Sequence, residues 1–258
     1  MRLKDKIILV TGSSSGIGAA CAVAAAREGA RVVVNYQGNA AGAERTLERI
    51  KAAGSDGCIV KADVGVAADV RALMAEVRRR HGRLDGLVNN AGVTLKKPFA
   101  ETTEEDWDRL YRTNAKSVFL CCREALDLLA PRAAIVNVTS THAFRSTSLF
   151  TAYGSSKGAV ETLTRNLVLE LGDRGIRING VRPGIINVER DAILPEDPLH
   201  GPAVARIPLG RIGEVDDLTG AVVFLLSAEA SYITGQILAI DGGWAGPVST
   251  PGARGFAV

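Results

Sequence analysis

Short apolar segments alternate with longer amphipathic ones along the chain, and this alternation constrains the fold more than any other feature. The first apolar segments are KIILVT, ARVVVNY and GCIVKAD, and helical patterns such as GIGAACAVAAAREG separate them. These segments are apolar almost throughout rather than at every second residue, so helices should cover both faces of the strands. The pattern predicts repeated βαβ units, and therefore an α/β fold with a doubly wound parallel sheet of about seven strands.

The second half continues the alternation, with one long helix and one irregular stretch. The sequence TEED, which begins at Thr103, is typical of a capping box and predicts a helix from there to about Ala130. Strands are predicted from AAIVNVTS, IRINGVRPG and GQILAIDGG. The stretch at about 185–214 contains four prolines and is predicted to be a substrate lid. No change of composition divides the chain, so we expect a single domain over 1–258.

Charge and cysteine content exclude several classes of function. The 258 residues carry a formal net charge of +3, which is too small and too evenly spread for a nucleic-acid groove or a membrane-binding face. Four cysteines without a CxxC pair predict neither a metal site nor a disulfide framework. No segment has the ~18 apolar residues needed to cross a bilayer, and the first apolar run is too short for a signal peptide. We expect a cytoplasmic protein that acts on a small molecule.

A glycine-rich turn, TGSSSGIG at residues 11–18, follows the first strand and opens the first helix. Gly12 permits a tight turn, Gly16 lets the backbone approach a pyrophosphate, and Gly18 allows the helix to pack closely on the sheet. The positive end of the helix dipole would face the phosphates. The position after a first strand predicts a dinucleotide site.

The sequence YGSSK at residues 153–157 places Tyr153 and Lys157 on one helical face. A tyrosine hydroxyl has an ordinary pKa of ~10 and is a slow base at neutral pH. One cation about 4 Å away supplies on the order of 4 kcal/mol at an effective dielectric of ~20, enough to lower that pKa by about 3 units. Taken alone, such a pair is usually a surface accident, so its significance depends on what accompanies it.

Four sequence motifs occur in one order: GxxxGxG at 12–18, NNAG at 89–92, YGSSK at 153–157 and PG at 183–184. With them the chain resembles the short-chain dehydrogenase/reductases over almost its full length. The segments NYQGN, THA and EASYITGQILAIDGG and a C-terminal tail with ARG look most like the bacterial glucose 1-dehydrogenases. The resemblance implies a Rossmann-like fold, a nicotinamide cofactor and a homotetramer.

The resemblance also implies roles for individual residues. Tyr153 would act as acid and base beside Lys157, Ser140 would hold the substrate oxygen, and Asn114 would bend its helix and support a proton relay. The implied cofactor contacts are Gly12, Ser13, Ser14, Ser15, Gly16, Ile17, Gly18, Asn35, Tyr36, Gln37, Asp63, Val64, Asn89, Ala91, Gly92, Tyr153, Lys157, Pro183, Gly184 and the backbone of Ile186.

The end of the second strand bears on the choice between NAD and NADP. Asn35 stands where an acidic residue would bind the ribose of NAD, so a 2′-phosphate is not excluded. Ser15 and Gln37 stand where many NADP-preferring relatives have basic side chains. We predict use of both cofactors with a preference for NADP.

The substrate is predicted to be a carbonyl or secondary alcohol, with a sugar or polyol such as glucose as the leading class. Ser140, Tyr153, His142 and Asn187 are the candidate substrate contacts, and Val188 replaces the threonine with which relatives commonly bind the carboxamide. A 3-oxoacyl-thioester reductase is the alternative, although Lys96, Lys97 and Arg190 are few for docking a carrier protein. A cofactor-binding regulator without turnover is the alternative from another class.

Overall fold

The computed structural model describes residues 1–189 and 193–246. Arg190 and the tail from residue 247, which includes the ARG sequence, lie outside the described residues. The strands are β1 (Ile7–Val10), β2 (Arg31–Tyr36), β3 (Gly57–Lys61), β4 (Leu84–Asn89), β5 (Leu129–Val138), β6 (Arg177–Pro183), β7 (Ile186–Asn187), β8 (Gly213–Glu214) and β9 (Ile237–Ile240). The helices are α1 (Gly16–Arg27), α2 (Ala40–Ala52), α3 (Ala67–His81), α4 (Glu104–Leu110), α5 (Ser117–Ala125), α6 (Thr151–Asn166), α7 (Val168–Leu171), α8 (His200–Val204) and α9 (Asp216–Leu226).

Seven of these strands form one parallel sheet in the order β3-β2-β1-β4-β5-β6-β9, which confirms the predicted single-domain Rossmann-like fold. Apolar side chains fill the layers on both faces of the sheet. Leu73, Leu87 and Cys121 belong to the layer that α3 and α5 cover. Val10, Ala22 and Val222 belong to the layer that α1 and α9 cover. The central strands are therefore apolar because neither of their faces meets water, whereas Leu238 in the edge strand β9 remains 43% exposed.

The predicted long helix from Thr103 to about Ala130 starts where expected, but the predicted end is wrong. Thr103 caps α4 in a capping box with Asp106. The helix continues through a π-helical segment, Tyr111–Lys116, into α5, which ends at Ala125. Leu129 already begins β5, so the apolar residues after α5 belong partly to the sheet.

The predicted lid at 185–214 contains regular structure in its described part. β7 and β8 pair in parallel at its two ends, and the short α8 lies between them. Arg211 binds both carboxylate oxygens of Asp217 in α9 at 2.6 and 2.7 Å. This ion pair and a backbone hydrogen bond from Glu214 lower the pKa of Asp217 to about 2. The end of the lid is thus tied to the start of α9.

Helices long and apolar enough to cross a bilayer are absent from the described part of the chain. Clusters of three or more His, Cys, Asp or Glu side chains that could hold a metal ion are likewise absent from residues 1–189 and 193–246.

Candidate active site

The strand order reverses between β1 and β4, which lie side by side at the centre of the sheet. Ligands of open α/β sheets bind at the carboxyl ends of the strands at such a switch point. The glycine-rich turn follows β1 and the NNAG loop follows β4, so the topology brings these two predicted motifs to the same edge.

The glycine-rich turn and the NNAG loop touch through their backbones. Gly12 has φ +60°, and a Cβ atom at this position would lie 2.8 Å from the Cα of Ala91. A Cβ atom on Gly18 would lie 2.5 Å from the carbonyl oxygen of Gly12 and would also clash with the side-chain amide of Asn90. Both positions therefore require glycine, one for conformation and space and the other for space alone.

The first turn of α1 is left open to an anion. Its N-cap residue, Ser15, makes no side-chain capping bond, and the first turn contains no acidic residue. The unpaired N–H groups and the helix dipole at this point favour a phosphate. The residues present therefore fit the pyrophosphate of a dinucleotide, with Ser14, Ser15 and Gly16 at the rim of an open groove of about 570 Å³.

The Ser13 side chain supports the glycine-rich turn from the protein interior and does not face the groove. Its side chain is fully buried, donates to the Val10 carbonyl at 2.7 Å and accepts from the Asn35 N–H at 3.1 Å. Any contact of Ser13 with a cofactor is therefore restricted to its backbone.

Two further residues stabilise this turn although the sequence prediction did not name them. Thr11 Oγ1 accepts from the backbone N–H groups of Asn90 and Ala91 at 3.0 and 3.1 Å. The Asn90 side chain donates to the Thr11 and Gly12 carbonyls at 3.0 and 3.1 Å. Their signal in the sequence was position: Thr11 precedes the first glycine, and Asn90 is the second Asn of NNAG.

The Asn35 side chain faces the protein interior and not the predicted position of the cofactor ribose. Asn35 is 1% exposed, its Oδ1 accepts from the Gly12 N–H, and its Nδ2 donates to the Val60 and Ala62 carbonyls. Because these bonds occupy both ends of the amide inside the protein, Asn35 braces the glycine-rich turn instead. Tyr36, at the end of β2, is half-buried and is the next residue that can face a ribose.

Gln37 and Asp63 lie next to each other beyond Tyr36. Gln37 Nε2 donates to Asp63 Oδ2 at 3.0 Å, and Arg112 forms an ion pair with the same oxygen at 3.2 Å. Asp63 Oδ1 accepts from the Gly65 N–H at 2.9 Å, and the adjacent Val64 is buried. The predicted adenine-binding residues Asp63 and Val64 therefore lie beside Gln37, and Asp63 also caps its own turn.

Asn89 ends β4, and its side chain is buried beneath the edge of the sheet where the cofactor is predicted to bind. Its side chain is 3% exposed and donates to Asn137 Oδ1 at 2.8 Å. Asn137 in turn donates to Thr164 Oγ1 in α6 at 2.8 Å. This buried chain ties β4, β5 and α6 together, so the Asn89 side chain supports the NNAG loop, whereas Ala91 and Gly92 lie at its surface.

Helix α6 carries Tyr153 and Lys157 one turn apart. Lys157 is buried, and its Nζ donates to the Val138 carbonyl at 2.9 Å. Burial lowers the pKa of Lys157 to about 8, because the neutral amine loses less on leaving water than the ammonium ion does. A cation is therefore held beside the tyrosine position at a pKa close to neutrality.

Asn114 lies in the π-helical segment and is completely buried. Its Oδ1 accepts from the Val93 N–H at 2.8 Å, and its Nδ2 donates to the Val93 carbonyl and to Ser156 Oγ. A Cβ atom built on Gly92 would lie 3.1 Å from Asn114 Oδ1 and 3.3 Å from Lys157 Nζ, so these side chains meet at one point of the loop. The predicted helix irregularity at Asn114 is present.

Ser140 caps a 3₁₀ turn, Thr141–Ala143, two residues beyond the end of β5. Its Oγ accepts from the His142 N–H at 3.3 Å. The His142 ring lies edge-on to the Tyr153 ring, with 5.9 Å between centroids. The turn therefore places the predicted serine on the same side of the site as the predicted tyrosine.

His142 is part of an aromatic wall beside Tyr153. Its ring stacks on Phe150 with centroids 4.1 Å apart and meets Trp244 edge-on at 5.7 Å. Partial burial lowers the pKa of His142, and its Nδ1 lies 3.2 Å from Ser146 Oγ. Phe150 and Trp244 were not identified from the sequence, because nothing local in it marks their approach to residue 142.

The lid residues divide between structural and cofactor-facing positions. The Asn187 amide donates to Glu214 Oε1 at 3.0 Å and accepts from the Ile193 N–H at 3.2 Å. Because both ends are used within the lid, the structure does not support Asn187 as a substrate contact. Val188 lies over the glycine-rich turn, with its Cγ1 3.5 Å from a Cβ atom built on Gly16.

The loop after β6 completes the predicted edge. Pro183 ends the strand and is buried. A Cβ atom on Gly184 would lie 2.7 Å from the Cα of Asp241, so only glycine fits beside the loop after β9. Ile186 follows in β7, and its backbone pairs with Gly213.

A dinucleotide-binding turn at a switch point, with a buried lysine and a tyrosine beside it, defines the class of a nicotinamide-dependent oxidoreductase. The family model described as "Enoyl-(Acyl carrier protein) reductase" matches residues 12–245. A 3beta-hydroxysteroid dehydrogenase of Eggerthella lenta is 39% identical over 93% of this chain and 94% of its own length. The 3-oxoacyl-[acyl-carrier-protein] reductase FabG of Staphylococcus aureus is 40% identical over 92% of this chain and 97% of its own length.

Solved structures agree with the sequence relatives. A short-chain dehydrogenase/reductase from Serratia marcescens is 34% identical with a TM-score of 0.91, covering 95% of this chain and 100% of the other. A blue fluorescent protein from a metagenomic library, solved with NADPH, is 34% identical with a TM-score of 0.90 at the same coverages. The chain belongs to the short-chain dehydrogenase/reductase family and is an NAD(P)-dependent oxidoreductase.

Proposed function

We propose that the protein transfers hydride between the nicotinamide and a carbonyl or secondary alcohol, with sugars and polyols as the leading substrate class and ring-bearing members preferred. The preference for a ring-bearing substrate rests on the aromatic wall of His142, Phe150 and Trp244 beside Tyr153. Aromatic faces bind flat, C–H-rich rings through dispersion and stacking.

Tyr153 is proposed to move the proton at the reacting oxygen. The Lys157 ammonium ion, one helical turn away and buried, favours the phenolate and so brings the tyrosine toward the pKa that a general base requires. Ser140, whose hydroxyl lies at the turn facing this site, holds the same oxygen and stabilises charge that develops on it. The bound nicotinamide supplies or accepts the hydride.

Asn114 supports this chemistry through the helix rather than at the reacting atoms. Its bonds to Val93 and Ser156 fix the π-helical segment against the loop and against α6. Ser156 donates to the Tyr153 carbonyl at 2.7 Å, so Asn114 and Tyr153 are linked through one hydroxyl. We propose that this linkage positions the groups through which a proton relay reaches Lys157.

The 3-oxoacyl-thioester alternative receives less support from the protein surface. A relative that is 40% identical carries that activity in its name. An acidic carrier protein would need a basic patch at the mouth of the site. Lys97, however, is already paired with Asp106 at 2.7 Å, which leaves Lys96 as the unpaired lysine of this loop in the described structure.

The preference for NADP is proposed to come from α2. Arg45 and Arg49 are exposed, lie one turn apart and line the groove beside Ser14 and Ser15. Neither forms an ion pair with any residue in the described ranges. They can supply the positive charge that is missing at Ser15 for a 2′-phosphate, whereas Glu189 and Glu214 border the groove and would repel a misplaced one.

Cofactor binding tests this preference directly. Quenching of protein fluorescence should give a dissociation constant at least tenfold lower for NADPH than for NADH, and Arg45→Ala should remove most of that difference. Lys51→Ala, an exposed residue of α2 that does not line the groove, should leave it intact. Equal affinities in the unmodified protein would refute the preference.

Turnover with a substrate panel tests the function. The panel contains glucose and other sugars, a 3-hydroxysteroid, simple ketones and an acetoacetyl thioester, with NADP and NAD as cofactors. A ring-bearing substrate should give the highest kcat/KM, and Tyr153→Phe should abolish most of kcat while cofactor affinity persists. Highest activity on the thioester, or near-normal turnover by Tyr153→Phe, would contradict the proposal.

We propose further that the protein works as a cytoplasmic homotetramer. Phe119 of α5 and Leu169 of α7 are 45% and 86% exposed, and burying such apolar side chains favours association. Light scattering after size-exclusion chromatography should give about four times the mass of one chain, and Phe119→Glu should reduce it.

A further inference from the structure

Helix α6 presents a third side chain on the stripe that carries Tyr153 and Lys157. Glu161 follows Lys157 by four residues and so lies on the same face. Its side chain is only 4% exposed, and a carboxylate is costly to bury unless it is paired. The proposed proton chemistry does not use Glu161, so its partners indicate its role.

The Glu161 carboxylate accepts two hydrogen bonds from the guanidinium group of Arg182 in β6. Arg182 Nε donates to Oε1 at 2.8 Å and Nη2 donates to Oε2 at 2.7 Å. Thr139 Oγ1 also lies within hydrogen-bond distance of Oε1, at 3.2 Å. The Arg182 side chain is 13% exposed, so both charges are largely removed from water. Arg165 approaches the same carboxylate less closely, at 3.7 Å.

The partners of Glu161 stand directly before the catalytic segments. Thr139 precedes Ser140, and Arg182 precedes Pro183 and the loop that enters the lid. The Arg182 guanidinium also lies 4.8 Å from the ring centroid of Phe144, at the end of the turn that begins with Ser140. One ion pair therefore contacts the ends of two strands and the turn between β5 and α6.

We propose that Glu161 and Arg182 are positioning residues, which fix the Ser140–Phe144 turn and the loop after β6 against the helix of the acid–base pair. A planar guanidinium bound at two oxygens defines an orientation as well as a distance. The consequence for catalysis rests on the proposed function, whereas the consequence for the two segments does not.

Two variants separate positioning from charge. Arg182→Lys keeps the charge but replaces the fork by a single point donor, so a purely electrostatic role predicts little change. The double variant Glu161→Gln/Arg182→Gln removes both charges and leaves no buried charge unpaired, so it can fold where a single neutral substitution does not. Both variants lose the two-pronged ion pair.

Asp85 offers a matched control at the opposite end of the sheet. It is a buried carboxylate at the start of β4, accepts from the Ile7 N–H at 2.9 Å and pairs with Arg83 at 3.0 Å. Asp85→Asn should reduce stability, because the half-exposed Arg83 loses the charge of a buried carboxylate, without moving the segments near Ser140.

Hydrogen–deuterium exchange and steady-state kinetics test the proposal on the full chain. Arg182→Lys and the double variant should exchange at least tenfold faster in peptides covering 139–146 and 183–187, with kcat at least tenfold lower. The NADPH dissociation constant should rise as well, because the second segment carries the predicted cofactor contacts Pro183, Gly184 and Ile186. Asp85→Asn should leave both exchange in those peptides and kcat within twofold. Unchanged exchange in Arg182→Lys and in the double variant, or equal effects in Asp85→Asn, would overturn the proposal. Absence of turnover in the unmodified protein would instead contradict the proposed function, and the exchange measurement would still decide the positioning role.

Discussion

Replacing Lys157 should reveal how much its burial costs the protein before any ligand binds. The pKa of Lys157 is lowered from 10.5 to about 8 by burial. The difference between these two pKa values corresponds to about 3 kcal/mol, at ~1.36 kcal/mol for each pKa unit. This free energy is the difference between holding the charged and the neutral amine in the site.

The sign of the effect follows from proton uptake on unfolding. Between pH 8 and pH 10.5 the native protein has released the Lys157 proton while the unfolded chain still holds it. Unfolding then takes up a proton, so the stability of the unmodified protein gains about 3 kcal/mol across this window from Lys157. Below pH 8 the gain is absent, because both states are protonated and the native state bears the full cost of burial.

Lys157→Met removes this contribution while keeping an unbranched side chain in the site. The difference in unfolding free energy, variant minus unmodified protein, should therefore fall by about 3 kcal/mol from pH 7 to pH 10.5. The unsatisfied Val138 carbonyl costs the variant about 1–3 kcal/mol at every pH, so it shifts the difference without changing its slope. At pH 7 the two terms largely offset each other.

Urea unfolding of the apo protein at several pH values measures this difference. Burial raises the pKa of Cys21 and of Cys122 to about 12, which lowers stability above about pH 9, but it does so equally in both proteins and cancels. Lys61→Met, at an exposed lysine of β3, is the control and should give a difference that does not vary with pH. A difference for Lys157→Met that is equally flat would refute the reasoning.

Three further substitutions have expected outcomes from the geometry. Gly18→Ala should abolish NADPH binding measured by fluorescence, because its Cβ would enter the Gly12 carbonyl, whereas Gly158→Ala, with its nearest neighbour at 3.9 Å, should bind normally. Thr103→Ala should lower the urea unfolding free energy by about 1 kcal/mol through loss of the helix cap. Val188→Thr should tighten NADPH binding about fivefold by adding one hydrogen bond, worth about 1 kcal/mol, and an unchanged dissociation constant would show that residue 188 does not reach the carboxamide.

The fold was predictable because its signals are local and repeated. Apolar strands without alternation indicate a parallel sheet. A glycine-rich turn after the first of them indicates the switch point at which the strand order reverses. Spacing also placed Tyr153 and Lys157 on one face of α6, whereas the helix irregularity at Asn114 was implied by the family resemblance. These inferences needed no knowledge of distant contacts.

The side-chain directions of Asn35 and Asn187 could not be predicted in the same way. Neighbouring residues of a strand point to opposite faces, so an error of one position moves a residue from the cofactor to the core. Asn35 turns inward because the Gly12 N–H and the carbonyls of Val60 and Ala62 meet it there. Those partners come from two separate segments, the glycine-rich turn and the end of β3, so the amide's direction is a property of the folded sheet.

The apo site combines several local costs, and together they indicate why such a site should be stabilised by its ligand. Lys157 carries a buried charge, and the first turn of α1 has no capping side chain. A bound pyrophosphate would satisfy the open N–H groups of α1 and lie near a positive helix end, whereas nothing in α1 itself supplies an anion. The free protein is therefore less stable than the packing of its core alone would make it. The destabilising features lie where the cofactor is predicted to bind. Ligand-induced stabilisation should accordingly reach α1 and α6 together, because Asn114 bonds both to Val93, which follows the NNAG loop, and to Ser156 in α6.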